Sequence, residues 1–209
     1  QAGRRGQKTL CMQARDRFFK AYFTAMEGLF VEAEPGEPGF EAQQGKYWKK
    51  AMRPSLVKDR QFTGIERKLK HQLPESFKTF YKAHHSLEEM FDTVLIRIAG
   101  NERFSNLSVL KFHLFEDGLS DRLLAKNQLQ FGLYQDHFPV CLNMNHHPED
   151  PPISLIEHDF ENDKVDIIHP HLFSSFEKML DCLASYLTEG DDSKFNEIDS
   201  DSTFTAMFE

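Results

Sequence analysis

The stretch 65–81, IERKLKHQLPESFKTFY, constrains the fold more than any other part of the chain. Its first half is an amphipathic helix that the pattern carries to Leu73. Pro74 then opens a second helix from its first position, where a missing N–H costs nothing. That second helix sets Phe77, Phe80 and Tyr81 on one face at steps of three and four. Two helices thus meet across a one-residue break.

Residues 8–29 carry Cys11, Ala14, Phe18, Ala21, Ala25 and Leu29 at helical spacing, which predicts an N-terminal helix. Residues 32–45, with Pro35, Gly36, Pro38 and Gly39, read as an exposed loop. Residues 92–98 are rich in β-branched side chains and end on Ala99-Gly100-Asn101, so a strand is expected there, with 107–115 as a second. Ser120 is placed as the N-cap of a short helix running through Leu123, Leu124 and Leu129.

Strands follow at 138–142, 153–159 and 164–168, the last two joined across Glu161-Asn162-Asp163 as a hairpin. A closing helix is marked by Phe173, Phe176, Leu180, Leu183 and Leu187. Ser174 and Glu177 stand at capping-box spacing, and Gly190 stops the helix. Helices, then strands, then a helix is the order of an α+β fold with a mostly antiparallel sheet. The expected organisation is an N-terminal helix over 8–30, an α+β domain over 46–188 and an acidic, mobile tail over 189–209.

Twenty phenylalanines in a chain that is 40% apolar and 28% charged describe a folded protein, neither collagen-like nor broadly disordered. No apolar run approaches the length that spans a bilayer, so a cytoplasmic protein is expected. Cys11, Cys141 and Cys182 are odd in number and lie among apolar neighbours, as reduced core thiols do. The net charge of −8 is uneven. Nine Lys/Arg face two acids over 46–70, and seven acids face Lys194 alone over 188–209. An acidic chain argues against nucleic acid as the principal partner, although Tyr47, Trp48 and Phe62 among the basic residues could stack bases.

Six of ten histidines, His137, His146, His147, His158, His169 and His171, crowd one region, and with Glu149, Asp150 or Asp159 they could supply metal ligands for a hydrolase. His-Glu-x-x-His and Cys-x-x-Cys are both absent, and so are a nucleophile elbow and a phosphate-binding glycine loop. The second half also gathers acids. Asp121, Asp136, Glu157, Asp159, Glu161 and Asp163 are the candidates for a negative face that captures a basic partner.

Taken in order, residues 62–81, 138–143, 153–168 and 173–187 resemble the successive blocks of the SUKH superfamily, with the Leu73-Pro74 junction and the Ser174-Ser175-Phe176-Glu177 helix start as its marks. That superfamily includes yeast cell-wall assembly regulators, bacterial toxin-immunity proteins and Syd-like proteins that interact with a membrane translocon. Tyr47-Trp48, Ile65-Glu66 and Phe80-Tyr81 are similar to the opening of the Syd branch. After Tyr81 the chain departs from the pattern, with His84-His85-Ser86 in place of an Asn-Gly turn. The resemblance implies helices on an antiparallel sheet, recognition of a protein partner without a cofactor, and no catalytic residue. A basic toxin domain is the expected partner, with a translocon and a metal-dependent hydrolysis as alternatives.

Overall fold

A computed structural model describes residues 2–25, 30–32, 47–49, 55–84, 96–100, 107–134, 138–159 and 164–189. Helices pack on a five-stranded antiparallel sheet, as the α+β reading expected. The order along the chain is α1 (Ala2–Ala25), β1 (Phe30–Glu32), β2 (Tyr47–Lys49), α2 (Asp59–Leu69), α3 (Glu75–Ala83), β3 (Ile96–Ile98), α4 (Ser108–Phe115), α5 (Ser120–Ala125), β4 (Gln128–Tyr134), β5 (Phe138–Asn143), β6 (Ile153–Asp159), β7 (Lys164–Phe173) and α6 (Phe176–Glu189). The main sheet runs β3-β4-β5-β6-β7, each neighbour next in sequence, and β1 and β2 pair separately as a ribbon. That ribbon borders the segment expected to be loop throughout.

The two faces of the sheet differ in chemistry. Leu129, Leu142, Ile153 and Phe173 stand in one cross-strand row and join the large core. Above it the rings of Phe77 and Phe80 from α3, Phe131 from β4 and Phe176 from α6 interlock, and Phe18 and Phe19 of α1 close on Phe80. The rings of Phe77, Phe80, Phe131 and Phe176 meet edge to face, while Phe19 stacks on Phe80. The next row, Gln130, Cys141 and Ser154, turns the other way, toward α4 and α5.

That second face is a buried polar layer. Gln128 donates to Asn143 Oδ1 at 3.0 Å, Ser154 donates to Gln128 Oε1 at 2.5 Å, and Asn143 donates to the Pro170 carbonyl at 3.2 Å. The Gln130 amide meets His113 Nδ1 at 3.3 Å, and the Ser120 hydroxyl donates to the His113 carbonyl at 3.1 Å. Mutual hydrogen bonding offsets the desolvation these groups suffer, except at Gln130 Oε1, which is buried with no partner among the described residues.

Several sequence expectations are corrected. Helix α2 stops at Leu69, because Lys70 enters the left-handed region at φ 60°, and Pro74 is an extended N-cap rather than the first helical residue. The junction is therefore a link over 70–74, pinned by Glu66, whose Oε1 accepts the Leu73 N–H at 3.0 Å and a Lys78 ammonium proton at 3.2 Å. Glu66→Ala should cost about 1–3 kcal/mol in urea unfolding by orphaning that N–H, with Glu66→Gln recovering most of it.

Residues 107–115 hold a helix, α4, not a strand. It buries Leu110, His113 and Leu114 at helical steps and leaves Phe112 48% exposed, a burial pattern no alternating strand gives. Ser120 caps nothing; its hydroxyl serves His113, and α5 ends at Ala125. Asn127, at φ 54°, then turns the chain into β4, a strand whose first two residues were expected in that helix and whose remainder was assigned to no element. At α6 the cap is Ser175, whose Oγ accepts the Lys178 N–H at 3.1 Å, because Phe173 and Ser174 are still engaged in leaving β7. Along α1 the buried stripe is Ala14, Phe18, Phe19 and Tyr22, with Ala25 exposed. Cys141 and Cys182 are buried free thiols. The side chain of Cys11 and the residues Leu29, Asn101 and Gly190 lie outside what is described.

Candidate partner-binding surface

The β6–β7 hairpin carries two of the expected acids, Glu157 and Asp159, on β6 beside the edge strand β7. Its register sets Glu157 opposite Asp166 and Asp159 opposite Lys164. Glu157 is exposed, and Asp159 and Asp166 are half-buried. Like charges directly across an antiparallel pair work against folding. Lys164 relieves the pair: its ammonium bonds Asp166 Oδ2 at 2.5 Å, and that bond, then the Asp166 charge, with Asp159 and Glu157 adding to it, raises its pKa. Three carboxylates thus surround one ammonium and leave a local negative excess.

Asp121 is exposed on a different element, α5, whose Leu123 packs with Cys141, Ile156 and Val165 on the polar-layer side of the sheet. Asp136, Glu161 and Asp163 lie outside the described residues, the last two in the segment joining β6 to β7. Among the described residues the hairpin therefore brings Glu157 and Asp159 together, while Asp121 belongs to a separate element. The sequence reading passed over Asp166. Strand alternation from Lys164 and the hairpin register would have placed it opposite Glu157. It also overlooked two cations at the border of the patch, Lys164 and Lys126, whose Nζ donates to the edge-strand carbonyl of Val165 at 2.6 Å.

The histidines scatter. His146 and His171 bring their rings to 4.8 Å, but His147 lies in the exposed turn after β5, and His158 and His169 lie along the hairpin. His137 lies outside the described residues. Burial pulls the His169 pKa down, and it pushes the Cys141 thiol well up, away from nucleophilic use. Among the described residues no three His, Cys, Asp or Glu side chains converge as a metal site, and no helix is long and apolar enough to cross a membrane.

Asp150, in the turn between β5 and β6, has one carboxylate oxygen buried without a hydrogen-bond partner. Burial, then the charge of Glu177, raises its pKa, and His147 opposes them. The folded state therefore keeps this proton longer than the unfolded chain, so stability falls as pH rises from the ordinary carboxylate range through the raised value. Asp150→Asn should remove that loss. Its thermal midpoint should match wild type in acid and exceed it modestly at neutral pH.

The profile described as SMI1 / KNR4 family (SUKH-1) matches residues 56–182, more than half of the chain, from just before α2 into α6. No curated protein and no solved structure matches the chain.

Proposed function

The chain belongs to the SMI1 / KNR4 family (SUKH-1), and from that premise we propose that it is a non-enzymatic binding module that neutralises a cognate toxin in the cytoplasm by covering it. A protein-binding or immunity-type role fits the family. The observation that supports the finer reading is the carboxylate set of Glu157, Asp159 and Asp166 held around Lys164 on the hairpin. A domain that cuts nucleic acid needs a basic surface for its polyanionic substrate, and an acidic surface competes for that same ground. Asp121, Asp136, Glu161 and Asp163 extend the proposed face.

The test is a pull-down with the whole chain as bait from the soluble fraction of its source cells and, in parallel, from membrane fractions, with every captured protein identified. Capture of a basic soluble toxin domain is the expected result. Capture from membranes alone would replace this reading with a translocon-binding role.

A further inference from the structure

We propose that residues 190–209 dock back into the groove between α1 and α6. The groove encloses about 740 Å³. Its apolar lining includes Leu187 together with Ala21 and Ala184, whose small side chains leave room for an inserted ring, and Arg17, Lys20 and Lys178 supply three cations. Asp181 is the one acid among its lining residues, and Arg17 holds it at 2.5 Å. Lys20 is exposed and meets no carboxylate among the described residues.

The occupant is identified by where the chain goes next. Leu187 and Thr188, at the end of α6, line the groove, so residues 190–209 depart from its wall. These twenty residues carry six acids against Lys194, together with Phe195, Phe204 and Phe208. Extended, they reach roughly 66 Å, against roughly 21 Å for the 14 residues of α6, so the segment can double back along the whole helix. Negative charge beside Lys20 and Lys178, with a phenylalanine over the alanines, pairs the two surfaces in both charge and shape. The segment that follows α1 also begins at this groove and carries five acids and two phenylalanines over 26–45, but Phe30–Glu32 within it are committed to pairing with Tyr47–Lys49.

The experiment is backbone amide ¹H–¹⁵N NOE measurement on the full chain at low salt. Residues 191–209 are expected to give the values of an ordered backbone, to lose them in Lys20→Glu/Lys178→Glu, and to loosen in Phe204→Ala/Phe208→Ala, which leaves the folded core untouched. Coil values in the wild-type segment would overturn the proposal. So would order that survives both double variants, order that vanishes on dilution as a contact between two copies would, or a response to the lysine reversals confined to the segment after α1.

Discussion

Phe176→Ala is expected to lower stability by about 3–5 kcal/mol, the range for deleting a fully buried ring that its surroundings cannot close over. Phe176 opens α6 and has no exposed surface. Its ring meets those of Phe77 at 5.1 Å, Phe80 at 5.5 Å and Phe131 at 5.5 Å, each steeply inclined to it. One side chain therefore joins α3, α6 and β4, and the hole left by alanine would be bounded by three elements that are each fixed elsewhere. Against a total stability of roughly 5–15 kcal/mol for a domain, the loss would dominate. The check is the urea midpoint at unchanged denaturant slope, with Phe112→Ala, at a 48%-exposed position, shifting it by no more than about 0.5 kcal/mol. A loss below about 1 kcal/mol at Phe176 would show that this aromatic layer is not what binds helix to sheet.

Gly132→Ala should be nearly as damaging for a different reason. A Cβ at this position would lie 2.4 Å from the Arg97 carbonyl oxygen, 3.3 Å from its carbon and 3.4 Å from Ile98 Cα, all backbone of β3. Backbone cannot swing aside as a side-chain tip does. Gly132 follows the bulge at Phe131, whose carbonyl accepts the Ala99 N–H at 2.8 Å, and this close approach lets the three-residue edge strand stay paired. The expected outcome is loss of hydrogen-exchange protection confined to residues 96–99, with a global cost of about 1–3 kcal/mol or more. Retained protection at those amides would mean that the strand shifts without cost.

The hairpin β6–β7 was legible because half-apolar runs flank a polar turn, and α3 because Phe77, Phe80 and Tyr81 keep helical spacing. The aromatic face they make could be read as core before any partner was known. Residues 107–115 were misread because a short apolar run fits a strand or a buried helix equally well until burial separates Phe112 from Leu110 and Leu114. β4 was hidden for the opposite reason: Gln128 and Gln130 look like surface residues, yet they point into a polar layer that exists only once Asn143, Ser154 and His113 come together from β5, β6 and α4. At the candidate surface, composition pointed to the acids, whereas Asp166 and the compensating Lys164 depend on cross-strand register. A one-residue cap error at α6 arose because Ser174 and Ser175 both suit the role, and only the path out of β7 decides between them.

The proposed role rests on charge at the hairpin steering a basic partner, and association kinetics test this most directly. With the basic soluble domain captured by the pull-down as ligand, Asp121, Asp136, Glu157, Asp159, Glu161 and Asp163 are reversed together to lysine. The association rate at low ionic strength should fall at least about tenfold, and the difference from wild type should shrink as salt is raised. An association rate unchanged by the six reversals at low salt would contradict it.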